Sequence, residues 1–179
     1  EILAGSVTEC NGGSMRVGPE SMPWPERVIR RFLVSRPGIW YGRYILPYLD
    51  VPLLRFSRGR WSMSPGQPIL LLATTGAKTG KRRFTPVVYV RNNNQVVVIA
   101  SNGGRDYHPG WYYNLRSHPA ATVYLDGQVR RYQARLVVGD ERAALWQQAL
   151  SYFDGFAYYE QRTTRPIPIF VLTPQEAPR

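Results

Sequence analysis

The fold is decided by residues 68–101, PILLLATTGAKTGKRRFTPVVYVRNNNQVVVIAS, running from Pro68 to Ser101. Ile69–Thr75 is apolar almost throughout and too short for a typical helix, the pattern of a buried strand. Pro86–Arg91 and Gln95–Ser101 are rich in β-branched and aromatic residues and flank the polar turn Asn92-Asn93-Asn94, which predicts two further strands. Between the first strand and the second lie Gly76 and Gly80, with the hydroxyls of Thr74, Thr75 and Thr79 nearby and the cations Lys78, Lys81, Arg82 and Arg83.

Toward the C-terminus the same alternation continues. Pro109–His118 reads as a short helix, with Pro109 near its first turn and Trp111 and Leu115 four apart. Ala120–Leu125 and Gln128–Val138 are strands across Asp126-Gly127, a strong two-residue hairpin signal. Asp140 is expected to cap a helix running to about Phe153, whose stripe is Leu145, Trp146, Ala149, Leu150 and Phe153. Ile167–Thr173 is the last predicted strand. About six strands, mostly joined by hairpins, predict a mainly β (α+β) antiparallel barrel with few helices. The chain has 179 residues, and roughly 100–200 make one domain.

Toward the N-terminus the character changes. Residues 1–20 lack periodicity and are expected to be a tail outside the fold. Residues 21–65 are expected to form an amphipathic helical segment, with Val28, Ile29, Phe32 and Leu33 on one face and Arg27, Arg30 and Arg31 on another. An aromatic run follows, with Trp40, Tyr41, Tyr44 and Tyr48, then Leu53, Leu54 and Phe56. A basic, aromatic segment over 24–56 suits an anionic membrane surface, and equally a helix packed on the domain with a solvated basic rim. Residues 66–179 are the expected barrel domain.

Composition limits the function. The formal net charge is +11, from 23 Lys plus Arg against 12 Asp plus Glu, so an anionic partner or ligand is expected. No window has the ~18–20 apolar residues of a membrane-spanning helix, and no charged start with an apolar run suggests secretion, so a cytoplasmic protein is expected. The single cysteine, Cys10, and two histidines, His108 and His118, give no zinc spacing and no nucleophilic triad. Carboxylate pairs are absent too. No metal and no nucleic acid are expected, since no recognition helix or RNA signature accompanies the charge.

Two stretches carry chemistry. The turn Thr74–Arg83 combines backbone amides, hydroxyls and cations, as a phosphate requires, although its glycine spacing is not that of a Walker A loop. A solvated hairpin tip would have the same composition. Ala100–Asn114 ends a strand in a small hydroxyl residue, passes Gly103-Gly104 and opens a helix in which Trp111, Tyr112 and Tyr113 could wall a flat ring. A phosphate-type turn without nucleophile, metal or carboxylate pair suggests cofactor chemistry.

These motifs occur in series: Thr-Thr-Gly-x-Lys-Thr-Gly at 74–80, Arg83-x-x-Pro86, Ala-Ser-x-Gly-Gly at 100–104, Pro-x-Trp-Tyr-x-Asn-Leu at 109–115 with Pro119, and Arg165-x-Ile-Pro-Ile. Over about residues 66–174 the chain resembles the deazaflavin-dependent nitroreductase family, actinobacterial reductases that use coenzyme F-420. The resemblance implies a split β-barrel of the FMN-binding, pyridoxamine-phosphate-oxidase-like kind. It also implies hydride transfer from the reduced deazaflavin to a small hydrophobic acceptor such as a quinone, enone or nitro compound.

Residue by residue, the resemblance assigns Ala77, Lys78, Thr79 and Arg83 to the coenzyme's phosphate and acidic tail. Phe84, Thr85, Pro86, Val87 and Val88 would line the ring, and Ile99, Ala100, Ser101 and Asn102 its edge. Gly110, Trp111, Tyr112, Tyr113 and Asn114 would close the groove. Phe153, Phe156 and Tyr159 fall on the substrate side, and Ser101 or Tyr159 would assist proton delivery. Ala77 stands where the family often has Arg, Asn102 where Lys is common, and Phe156 where a tyrosine is found; Arg82 or Arg105 would replace the lost charge. These departures leave a second reading, a non-catalytic carrier of fatty acid, lipid or cofactor on the same barrel. FMN is the alternative cofactor, and the expected state is a monomer or weak homodimer.

Overall fold

The computed structural model describes residues 46–64, 67–153 and 155–175, all within the compact unit Arg43–Arg179. The expected tail at 1–20, the helix at 24–34 and the aromatic run at 40–44 lie outside the described residues. The elements are α1 (Leu46–Phe56), β1 (Ile69–Thr75), β2 (Arg82–Asn92), β3 (Gln95–Ile99), α2 (Gly110–Ser117), β4 (Ala120–Leu125), β5 (Gln128–Leu136), α3 (Gly139–Tyr152), α4 (Gly155–Glu160) and β6 (Ile169–Pro174).

The strands close an antiparallel barrel in the order β1-β2-β3-β6-β5-β4, as the hairpin spacing predicts. Alternation along β3 and β6 divides their side chains between two cores. Leu70, Leu72, Val87, Tyr89, Val96, Val98, Ala121, Val123, Phe170 and Leu172 fill the barrel, and Trp111 and Leu115 of α2 join them. On the outside, Val97, Ile99, Ile169 and Val171 pack beneath Leu145, Trp146 and Ala149 of α3 and Phe156 of α4. Each large side chain so buried contributes about 1.5–3 kcal/mol. The stripe read on α3 is therefore the face it buries.

Four boundaries differ from expectation. β2 begins at Arg82 rather than Pro86, because the cationic residues at the hairpin tip pair with Thr74 and Thr75 while staying exposed. β3 ends at Ile99 instead of Ser101, β5 at Leu136 instead of Val138, and β6 runs Ile169–Pro174 rather than Ile167–Thr173. Asp140 is not the cap of α3. Gly139, at φ 63°, makes the entry turn, Val138 occupies the cap position without a side-chain hydrogen bond, and Asp140 and Glu141 sit in the first turn, where their charge favours the helix dipole. At the β4–β5 turn Asp126 and Gly127 both have positive φ (50° and 79°), the tight turn the sequence predicts.

Helix α1 packs on the outer side of β1 and β2 through Leu54, which is fully buried. Its buried Asp50 accepts from Ser62 Oγ (3.0 Å) and the Met63 N–H (2.6 Å), which fixes the loop that follows. That loop crosses β4 at Gly59, where a Cβ would stand 2.4 Å from the Tyr124 carbonyl oxygen. Only glycine fits.

Candidate functional site

The barrel is split where β2 leaves β3. Their ladder ends at Tyr89 opposite Val98, after which Arg82–Val88 continue with β1 and Ile99 with β6. Tyr89 donates its N–H toward β1, to the Pro68 carbonyl at 3.0 Å. Backbone groups alternate between a strand's two edges, so those of Phe84 and Pro86 face the split. Pro86 has no N–H there, and a proline is tolerated because no strand among the described residues pairs with that edge. The split thus leaves a backbone-lined groove with Arg83–Val88 on one lip and Ile99–Asn102 on the other.

The β1–β2 turn stands at the end of this groove. Lys78, Lys81, Arg82 and Arg83 are exposed. Among the described residues the ion pairs are Arg91–Asp126 and Arg135–Glu141, neither involving the turn. Arg82 lies over the Phe84 ring at 5.6 Å, beside Arg55 at 4.9 Å, on the outer face. Arg83 has the other parity and pairs with Thr74. The turn is fastened by Asn114 of α2, whose Oδ1 accepts from the Ala77 N–H (3.0 Å) and whose Nδ2 donates to Thr74 Oγ1 (2.9 Å).

The second lip is held by one side chain that the sequence motif contained without a role. Arg165 donates from Nε to the Arg105 carbonyl (2.8 Å) and from Nη2 to the carbonyls of Ala100 (3.1 Å) and Ser101 (2.9 Å). Its Nη1 meets His108 Nδ1 at 3.0 Å. Arginine can only donate, so Nδ1 accepts and the ring is neutral. Partial burial, then the charge of Arg165, push the His108 pKa below its ordinary value. Its ring stacks on Tyr112 at 4.1 Å. The sequence signal for Arg165 is a cation placed immediately before the apolar run Pro166–Leu172 that leads into the last strand.

The residues assigned to the site are not equally available. Val87 (7% exposed) and Trp111 (6%) are barrel core, and Phe156 (3%) is packed in the outer core. Tyr113 is exposed and Gly110 faces open space. Asn102, at φ 50°, donates from Nδ2 to the Tyr107 carbonyl (2.9 Å), a left-handed position that suits Asn. Ser101 is buried, and Phe153 and Tyr159 are half-buried. Phe153, Phe156 and Tyr159 form one aromatic cluster, with centroids 5.1–6.5 Å apart. It meets the second lip at Gly104 (φ 75°), where a Cβ would be 2.9 Å from the Tyr159 carbonyl oxygen. Burial, with Tyr158 beside it, pushes the Tyr159 phenol up, so it keeps its proton at neutral pH. Arg105, suggested as a replacement cation, instead lies on Tyr107, 5.4 Å over the ring.

A family model described as F420H(2)-dependent quinone reductase matches residues 55–174. The chain belongs to that family. An F420H(2)-dependent quinone reductase of Mycobacterium tuberculosis is 38% identical over 144 residues, which span 74% of this chain and 97% of that protein. A solved F420-H2 dependent reductase is 38% identical with a TM-score of 0.55, covering 59% of this chain and 93% of that one. Another structure, described as a domain-swapped dimer, is 32% identical with a TM-score of 0.58, covering 76% and 98%.

Membership makes the chain an oxidoreductase that uses coenzyme F-420. The donor set of the groove fits such a group: among the described residues, a strand edge without a partner strand for a planar ring, and cations without acid partners for a phosphate and carboxylates.

Proposed function

We propose that this chain passes a hydride from reduced coenzyme F-420 to a quinone-class acceptor in the groove of the split. The observation that carries this reading is the unpaired edge of β2 ending at a turn with four cations free of acid partners among the described residues. Lys78, Thr79 and Arg83, with the backbone amides of Lys78 and Thr79, hold the phosphate and acidic tail, the other amides of the turn being used within it or by Asn114. The backbone from Arg83 to Val88 and from Ile99 to Asn102 orients the ring, and the exposed Tyr113 closes over it. When bound, the reduced coenzyme supplies the hydride from its ring C5. Half-buried Phe153 and Tyr159, backed by the buried Phe156, exclude water and seat the acceptor, and the proton comes from the Tyr159 phenol or from solvent near Ser101. No strong acid or base is needed, because catalysis here is orientation.

The absent charges at Ala77 and Asn102 are compatible with this reading, since both positions serve the architecture of the turn and lip. A membrane contact is also proposed. Tyr48, Phe56 and Trp61 are exposed at 80%, 85% and 61%, beside exposed Arg55, Arg58 and Arg60, which supports docking of α1 and its following loop on an anionic bilayer. Among the described residues no helix is long and apolar enough to cross a membrane. The domain-swapped neighbour supports looking for a dimer.

Titration of the protein with oxidised coenzyme F-420, FMN and a fatty acid at two salt concentrations tests the reading, followed by turnover of menadione and a nitroimidazole. Saturable, salt-weakened binding of the deazaflavin with reduction of menadione is expected. Binding of fatty acid alone would overturn it in favour of a carrier, and binding of FMN alone in favour of FMN as the cofactor.

A further inference from the structure

We propose that Arg165 is a positioning residue that sets the second lip of the groove, and that its contact with His108 makes the lip's position depend on pH. The inference rests on the groove being the coenzyme site. Arg165 meets four acceptors on the Ala100–His108 segment, three of them main-chain carbonyls. The strand β3 ends at Ile99, so beyond the Ala100 N–H, which donates to the Pro168 carbonyl at 2.9 Å, no strand ladder among the described residues holds this backbone. The guanidinium does so instead. Its planar fork suits several carbonyls in different directions at once, which a lysine ammonium on a flexible stem does not reproduce.

The His108 contact requires an unprotonated Nδ1. A proton taken up there removes the acceptor and sets two cations 3.0 Å apart, so either Arg165 or the imidazole must move. Arg165 is bound to Ala100 and Ser101, and a shift of the guanidinium is a shift of the lip. The charged and titratable groups around the pair are Arg105 and Asp106 on the same loop, Tyr112 and Tyr113 on α2, and Tyr107. Asp106 accepts from Thr163 Oγ1 at 3.1 Å, and it favours the Arg165 charge without contacting the imidazole.

Two variants separate this role from plain structural support. Arg165→Lys is expected to weaken binding of oxidised coenzyme F-420 by about ten-fold at pH 7.5, as a lost charge-assisted bond would, in a fluorescence titration. His108→Asn offers an oxygen near the position of Nδ1 but cannot be protonated. Its affinity relative to wild type, a ratio in which the coenzyme's own titration cancels, is expected to rise from about one at pH 7.5 to about three or more at pH 5.5. Amide exchange of Ala100–Gly104 is expected to lose protection in Arg165→Lys, and in wild type but not His108→Asn on acidification. A ratio that stays flat, with unchanged lip exchange, overturns the proposal. If wild type does not bind the coenzyme, the functional reading fails, and the exchange data still decide whether Arg165 and His108 hold the lip.

Discussion

At the scale of single residues the site depends on side chains spent on backbone. Asn114 satisfies the Ala77 N–H and the Thr74 hydroxyl together, so Asn114→Ala leaves two partly buried polar groups without a partner. A loss of about 1–3 kcal/mol is expected, read as a lower urea midpoint. Asn114→Asp keeps the acceptor for Ala77 and should recover part of it. His108 gives a pH dependence whose sign follows from its shift. Its folded pKa lies below the ordinary 6.5, so the fold favours the neutral ring. The stability it contributes is fully present above about pH 6.5 and is lost as pH falls through the lower folded value. Denaturant midpoints measured from pH 7.5 to 5 should fall less in His108→Asn than in wild type.

At the scale of elements the contact between α4 and the second lip is the most constrained. Gly103 and Gly104 both have positive φ (66° and 75°), but a Cβ on Gly103 meets nothing within 4 Å, whereas on Gly104 it meets the backbone of Tyr159. Gly103→Ala should therefore cost only the backbone strain, about 1 kcal/mol. Gly104→Ala adds a clash that displaces α4, and is expected to lower the thermal midpoint by several degrees more and raise the KM for the acceptor. Equal midpoints for the two variants would mean that α4 moves freely on the lip. The elements also show what propensity misses: the polar start of β2 reads as loop, since its cations are exposed while its backbone pairs with β1.

At the scale of the whole molecule the charge is the decisive property. The formal net charge of +11 draws an anionic ligand from a distance and binds it through contacts that salt screens. Lys78→Ala and Arg83→Ala are each expected to weaken coenzyme binding by about ten-fold or more, at ~1.5–3 kcal/mol per charge-assisted contact. Both should also reduce the slope of affinity against salt. Arg131→Ala, on the far strand β5, serves as the control and should leave affinity within about two-fold. A uniform effect across all three would assign the salt dependence to net charge alone rather than to the turn.

The barrel is legible in the sequence because its signals are local. Ile69–Thr75 is buried almost throughout, Asp126-Gly127 dictates a tight turn, and the stripe from Leu145 to Phe153 has one apolar side. The motifs at 74–80, 100–104 and 109–115 likewise placed the candidate groove along the chain. Tertiary structure decided how those segments meet. That Val87 and Trp111 belong to the barrel core, that the groove is an unpaired strand edge, and that Arg165 holds a lip some 60 residues away in sequence all depend on closure of the barrel. Strand alternation fixes two faces for each segment, but only the order and register of the strands determine which face is enclosed and which edge is left open.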